Sequence, residues 1–145
     1  MATKLPPDIA SAVVTLSNGE TRKVQGVEIS AVPMYNMYER KTLHPQGRGN
    51  GYIIVLGDKR FYVSGDTDDI PEMRALERID VAFLCMIPPY TMSVDQAADA
   101  VRAFRPKVVF PYHYQDSDVK RFKSLVEQAV PGTEVRLDNW YPLGI

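Results

Sequence analysis

Cysteine is almost absent from this sequence: Cys85 is the single one among 145 residues. A single cysteine excludes an internal disulfide and a zinc site built from cysteines, and it suits a reducing compartment. No apolar run approaches the ~20 residues that span a bilayer. The first residues, MATKLPPDIA, lack the basic and hydrophobic regions of a signal peptide. We therefore expect a cytoplasmic protein with no membrane contact.

An excess of charge of one sign is also lacking, since the formal net charge is -1. Nucleic acid and anionic membrane surfaces are therefore not expected as partners, because no basic field would attract them. The composition, 45% hydrophobic and 24% charged, is typical of a globular domain with a core. We expect a single domain over residues 1–145.

The first half of the chain predicts two hairpins. The β-branched stretches AVVTL (12–16) and VEISAV (27–32) are separated by Asn18-Gly19, a pair that favours a hairpin turn. Residues 52–56 and 60–64 flank Gly-Asp-Lys and predict the second hairpin. The stretch between the hairpins, residues 33–51, has no steady period and is interpreted as a long loop, which often carries function.

The second half predicts alternating helices and strands. A short helix with a proline near its start precedes the apolar strand 79–87. A longer helix begins at Ser93, which stands in capping-box spacing with Gln96. Then come a strand ended by Pro111 and His113, a helix capped by Asp116 or Ser117, and a last strand in TEVRLDNWY. This order indicates a layered α/β sheet with helices on one face.

Few residues are suited to metal chemistry. The two histidines are His44, in the long loop, and His113, just past a strand end in FPYHYQD. Asp66, in SGDT, also follows a strand end. Because α/β sheets place ligands at strand ends, Asp66 and His113 are the first candidates for a shared metal site. Taken alone, each has an ordinary alternative, Asp66 as a turn residue and His113 as a half-buried ring.

Three ordered motifs carry a family resemblance: GNGYIIVLGDKRFYVSGDTDDIPEM, IDVAFLCMIPPYTM and PKVVFPYHY. Together they resemble the C-terminal half of the metallo-β-lactamase superfamily, and within it the ascorbate-6-phosphate-lactonase-like branch of metal-dependent hydrolases. The likeness runs from about Val24 to Leu137. It implies half of an αββα sandwich, α/β in class, with one mixed β-sheet and helices on one face. It also implies that Asp66 bridges two metal ions and that His113 is a terminal ligand.

The family motif HxHxDH, which supplies most of the metal ligands, is missing from this sequence. A further metal-binding histidine of the family precedes the Gly-Asp-Thr strand, where this chain has Asn36 and then His44. His44 is therefore a candidate substitute ligand. The resemblance implies a divalent metal, zinc first, with manganese and iron as alternatives, or a site that holds none.

Half of a sandwich leaves one apolar sheet face uncovered, and such faces predict association. We expect either a homodimer that stacks two sheets around a two-fold axis or a complex with a separate N-terminal half. The expected function is that of a metal-dependent hydrolase of ester, lactone or phosphoester bonds, completed by that association. The alternative is a non-catalytic half-domain that homodimerises and keeps a vestigial metal site.

The loop IPPYTM matches a family loop near the active site, so Tyr90 and Thr91 are candidate substrate-binding residues. The alternative is a Pro-Pro turn with a packed tyrosine. Cys85 is interpreted as a core residue because it lies within an apolar strand. Trp140 and Tyr141 are expected to pack on the domain.

Overall fold

A computed structural model describes residues 6, 9 and 12–140 of the chain. Within these residues, seven strands form one sheet whose spatial order equals their order in sequence. The strands are β1 (Thr21–Val24), β2 (Val27–Met34), β3 (Gly49–Leu56), β4 (Lys59–Val63), β5 (Val81–Cys85), β6 (Val108–Tyr112) and β7 (Glu134–Val135). The helices are α1 (Pro71–Arg74), α2 (Val94–Phe104) and α3 (Val119–Ala129), with a 3-10 turn at Tyr38–Arg40. The predicted mixed α/β sheet is confirmed.

Strand β4 divides the sheet into two halves of different direction. It pairs antiparallel with β3, where Phe61 faces Ile54, and parallel with β5, where Val63 faces Phe83. Strands β4 to β7 are all parallel, so the carboxyl ends of β4, β5 and β6 lie at one edge of the sheet. The chain segments that leave these three strands therefore meet at that edge, where α/β sheets bind ligands.

One face of the sheet carries the core. Side chains that alternate along the central strands are fully buried there, and Tyr62 of β4 meets Phe104 of α2 edge-on with ring centroids 6.1 Å apart. The helices contribute their apolar stripes to this face. The buried set includes Tyr62, Ala82, Leu84, Val109, Val101, Phe104, Phe122 and Val126.

The other side of the central strands is half-buried in the described part of the chain. Phe83 and Phe110 stack with ring centroids 5.3 Å apart, and Trp140 packs edge-on against both. An apolar recess of about 390 Å³ lies among Val63, Phe83, Tyr112 and Trp140. We refer to Val63, Phe83, Phe110, Tyr112 and Trp140 as the open face.

The first predicted hairpin is misplaced. The stretch AVVTL forms no strand, and Val13 and Val14 are exposed to solvent. The hairpin joins β1 to β2 instead, through Gln25 and Gly26, whose φ angles of 49° and 86° suit a tight turn between twisted strands. β-Branched residues stabilise a strand only where their side chains pack, and those of Val13 and Val14 largely do not.

The long loop predicted over residues 33–51 and the last predicted strand are both shorter than expected. Strand β2 continues to Met34 and β3 begins at Gly49, so the loop covers only residues 35–48. Strand β7 has two residues, and Trp140 packs on the open face as expected, with its Nε1 donating to the Pro111 carbonyl at 2.8 Å. Tyr141 lies outside the described residues.

Helix ends follow their local chemistry. The capping box of α2 is confirmed: the Ser93 hydroxyl accepts from the backbone N–H of Gln96, and the Gln96 side-chain oxygen accepts from the backbone N–H of Ser93. The predicted cap of α3 is wrong: Asp118 accepts from the Arg121 amide at 2.9 Å. Ser117 is engaged elsewhere, because its hydroxyl donates to the Met86 carbonyl at 2.6 Å. No helix in the described part of the chain is long and apolar enough to cross a membrane.

The hydroxyl of Tyr62 gives a stability prediction. It is fully buried and has no hydrogen-bond partner among the described residues. Because an unpaired buried polar group is destabilising, Tyr62→Phe should leave the free energy of unfolding unchanged or raise it by about 1 kcal/mol. The matched control is Tyr35→Phe, which loses a 3.0 Å bond to Glu72 and should lower it by about 1 kcal/mol. Urea unfolding of both variants measures this; a larger loss in Tyr62→Phe would contradict the assignment.

Candidate metal centre

Asp66 is carried by a sharp turn that follows β4. The Ser64 hydroxyl donates to the Gly65 carbonyl at 2.8 Å and accepts from the Cys85 amide at 3.2 Å, which ties the turn to the next strand. Gly65 has a left-handed φ of 65°, and a Cβ there would lie 2.8 Å from the Met34 sulfur. The turn therefore requires glycine, and it brings the Asp66 carboxylate to the sheet edge, where its side chain is 35% exposed.

His113 reaches Asp66 from β6, two strands away. The residue directly follows the strand and has a φ of 47°, a left-handed conformation that is uncommon outside glycine. Its Nδ1 lies 2.9 Å from Asp66 Oδ1. The two residues that the sequence places at strand ends are thus in direct contact, although 47 residues separate them in the chain.

His44 approaches the same carboxylate from the loop of residues 35–48. Its Nε2 lies 3.9 Å from Asp66 Oδ2, the oxygen not used by His113. Its Nδ1 lies 2.8 Å from Asn36 Oδ1, and its backbone N–H donates to the same oxygen at 3.1 Å. All three predicted ligands therefore meet, with one imidazole beside each oxygen of Asp66.

A buried polar cluster behind His44 was not identified from the sequence. Asp68 is fully buried; its Oδ2 accepts from the Met37 amide at 2.8 Å, and its Oδ1 lies 2.8 Å from the Arg40 guanidinium. Asn36, 2% exposed, donates from Nδ2 to Asp68 Oδ1 at 3.1 Å. The only local signal was the second aspartate of GDTDD, which is indistinguishable in sequence from an exposed turn residue.

Tyr90 and Thr91 lie in the segment after β5, beside this cluster. The Tyr90 side chain is exposed, and its carbonyl accepts from Asn36 Nδ2 at 3.0 Å. Thr91 is fully buried, and its hydroxyl accepts from the Ile87 amide at 2.8 Å, which stabilises the turn. Substrate contact by these residues stays a prediction, and the exposed ring of Tyr90 is the better placed of the two.

Neither Cys85 nor Tyr112, both next to the turn, is suited to act as an ionised nucleophile. Burial raises the pKa of the Cys85 thiol above its ordinary value. Burial is also the largest cause that raises the pKa of Tyr112 to about 12. Both groups are therefore neutral near pH 7.

The donors are the right kind for a divalent metal, because carboxylate oxygen and imidazole nitrogen bind zinc, manganese and iron. The set is incomplete, however. Among residues 6, 9 and 12–140, no three His, Cys, Asp or Glu side chains are grouped so as to hold one ion. A catalytic zinc site commonly has three protein ligands. The residues present thus fit part of a metal site but do not complete one.

Comparison with known proteins supports the resemblance seen in the motifs. A family model described as the beta-lactamase superfamily domain matches residues 4–113, most of the chain. The chain belongs to the metallo-β-lactamase superfamily. A candidate metal-dependent hydrolase from Parabacteroides distasonis is 42% identical, with a TM-score of 0.82, over 90% of this chain and 59% of that one.

Two further relatives of this superfamily match over a similar span. A metallo hydrolase from Ignicoccus hospitalis is 29% identical, with a TM-score of 0.73, over 87% of this chain and 57% of that one. A UPF0173 metal-dependent hydrolase from Nanoarchaeum equitans is 33% identical over 71% of this chain and 53% of its own length. The chain spans about half the length of the curated relatives that it matches. The names of these relatives do not mention the lactonase-like branch, so membership in that branch stays a prediction.

The position of the Asp66 turn depends on a close approach between β3 and β4, which gives a second stability prediction. A Cβ at Gly51 would lie 2.7 Å from the Ser64 carbonyl oxygen, a backbone atom that cannot rotate away. Gly51→Ala should therefore lower the free energy of unfolding by about 1–3 kcal/mol and displace the turn.

Gly49→Ala is the matched control for Gly51→Ala. It lies on the same strand, and its Cβ would meet only the end of the flexible Met34 side chain. We expect a smaller loss, measured by urea unfolding of both variants. Equal stability of Gly51→Ala and the unmodified chain would show that β3 does not constrain the turn.

Proposed function

We propose that this chain supplies the C-terminal half of the catalytic unit of a metal-dependent hydrolase that cleaves ester, lactone or phosphoester bonds. The observation that supports this most directly is the Asp66 carboxylate, with His113 beside one oxygen and His44 beside the other. The names of the relatives, metal-dependent hydrolase and metallo hydrolase, favour the same chemistry.

In this proposal Asp66, His113 and His44 would contribute ligands to a divalent metal site, for zinc first, with manganese and iron as alternatives. When bound, the metal would activate water and polarise the scissile carbonyl or phosphoryl oxygen of the substrate. Asp66 would hold its place between the two histidines, as the bridging role implied by the resemblance requires. The exposed ring of Tyr90, adjacent to the cluster behind His44, would contact the substrate.

The remaining ligands would come from the other half of the fold, which carries HxHxDH in this superfamily. The open face supports this, because an exposed apolar surface with an apolar recess commonly marks a site that another protein layer covers. That layer is either an N-terminal half, in a longer polypeptide or a separate chain, or the open face of a second copy. A cytoplasmic location remains the expectation.

A metal titration tests the proposed site. We expect zinc or manganese to bind the chain, and Asp66→Asn combined with His113→Ala to weaken binding at least 10-fold, because both carry donors. His44→Ala should weaken binding by a smaller factor, given its longer distance to Asp66. The control is Asp58→Asn, which leaves His44 and His113 intact. Asp58 is an exposed aspartate in the β3–β4 turn, and its replacement should have no effect on metal binding. Isothermal titration calorimetry measures metal binding by the unmodified chain and by the three variants. Unchanged metal binding in the double variant would exclude this site.

Hydrolysis separates the proposed enzyme from a non-catalytic half-domain, the second candidate. The incomplete donor set among the described residues favours the second candidate for the chain alone. A lactone, an aryl ester and an aryl phosphodiester would be offered with zinc or manganese, to the chain alone and together with an N-terminal half from a relative. Metal-dependent turnover that is lost in the Asp66→Asn, His113→Ala variant supports the enzyme. Tight metal binding without turnover in either case supports the vestigial site.

Sedimentation equilibrium tests the role of the open face. We expect the chain alone to associate as a dimer, and Phe110→Asp to convert it to a monomer, because a carboxylate in an apolar interface is strongly unfavourable. Val14→Asp, a change at an exposed apolar residue outside the sheet, is the control and should leave association unchanged. A monodisperse monomer of the unmodified chain would contradict the homodimer and leave the N-terminal half as the proposed cover.

A further inference from the structure

The cluster behind His44 contains an asparagine whose amide orientation is determined by its neighbours. Asn36 Nδ2 lies 3.1 Å from Asp68 Oδ1 and 3.0 Å from the Tyr90 carbonyl oxygen, and both of these atoms can only accept. Asn36 Oδ1 faces the His44 backbone N–H at 3.1 Å, which can only donate. Exchanging the amide nitrogen and oxygen would create two acceptor–acceptor contacts and one donor–donor contact. The amide therefore has one orientation.

That orientation determines which nitrogen of His44 carries the proton. Asn36 Oδ1 is an acceptor and lies 2.8 Å from His44 Nδ1, so the hydrogen bond forms only when Nδ1 is protonated. In the neutral ring, Nε2 then has the free lone pair. This nitrogen is the one that faces Asp66 Oδ2, at 3.9 Å.

The loop itself is held by the same two residues. The backbone N–H of Asn36 donates to the His44 carbonyl at 2.9 Å. His44 is therefore bonded to Asn36 through its backbone N–H, its backbone carbonyl and its ring. Asn36 is in turn held by Asp68, whose buried carboxylate is paired with Arg40 at 2.8 Å. Arg40 also donates to the Thr91 carbonyl at 2.8 Å. The ring of His44 is thus connected to a rigid buried cluster.

We infer that Asn36 is a positioning residue that holds His44 as the Nδ1–H tautomer and so presents Nε2 as a metal-ligating nitrogen toward Asp66. Asp68 and Arg40 act through Asn36 by fixing its amide. The role of Nε2 as a ligand rests on the proposed metal centre, whereas the tautomer does not. Residues in this position relative to a metal-binding histidine typically change metal affinity 10–100-fold when altered.

The tautomer is measured directly in metal-free protein. Long-range ¹H–¹⁵N correlation spectra of the imidazole rings, recorded well above the ordinary imidazole pKa, show which nitrogen is protonated. His44→Gln and His113→Gln assign the two rings. We expect the His44 proton on Nδ1 in the unmodified chain, and loss of this preference in Asn36→Ala. The His113 ring, which does not contact Asn36, is the internal control and should not change.

A second variant keeps the inference testable if Asn36→Ala does not fold. The exchange of Asn36→Asp with Asp68→Asn keeps an acceptor next to His44 and leaves the net charge unchanged, and it gives up the bond that Asn36 donates to the Tyr90 carbonyl. We expect this double variant to retain the Nδ1–H tautomer. A His44 proton on Nε2 in the unmodified chain, or an unchanged tautomer in folded Asn36→Ala, would overturn the inference.

Zinc titration of the same proteins connects the tautomer to the metal. We expect Asn36→Ala to bind zinc about 10-fold more weakly than the unmodified chain, and the double variant to recover most of the affinity. No zinc binding by the unmodified chain would refute the proposed metal centre, while the metal-free spectra would still decide the tautomer. Zinc binding that is equal in all three proteins would refute the role of Asn36 toward the metal.

Discussion

The buried carboxylate of Asp68 is the group on which the arrangement of the site depends. A carboxylate without exposed surface must be paired and hydrogen-bonded, and its donors here are the Met37 amide, the Asn36 side chain and Arg40. All three belong to one short segment of the loop that follows β2. Moving the loop away would leave this buried carboxylate without its donors, which is destabilising. The place of His44 near Asp66 follows from that.

The same cluster connects the loop to a third segment. Asn36 and Arg40 donate to the carbonyls of Tyr90 and Thr91, so the chain after β5 is fixed to the loop after β2. His113 needs no such support, because it directly follows β6 and its backbone conformation turns the ring toward Asp66. The candidate site thus combines one residue positioned by a strand end, one by a tight glycine turn and one by a buried polar cluster.

The two faces of the sheet differ in a way that parallels the incomplete site. The helices bury one face, where Tyr62 packs against Phe104, while the aromatic side chains of the open face remain half-exposed beside Trp140. The donor set at the sheet edge is also short of a complete metal site among the described residues. In the proposed function, a single further layer of the fold would supply both a cover and ligands. This is why the proposed function places the chain within a larger catalytic unit, in keeping with its share of the relatives' length.

Features that depend on neighbours in the chain were determined by the sequence itself. The capping box at Ser93, the hairpin between β3 and β4, and the strand-end positions of Asp66 and His113 all follow from short-range patterns, and so does the absence of HxHxDH. Only the tertiary structure decided that AVVTL is not a strand, that Asp118 caps α3, and that Asn36 meets Asp68. The first depends on burial, and the third on a partner 32 residues away. The cap falls to Asp118 while the Ser117 hydroxyl is bonded to Met86, 31 residues away. Residue type does not reveal whether an aspartate will be buried against such a partner, because that environment exists only once the sheet has formed.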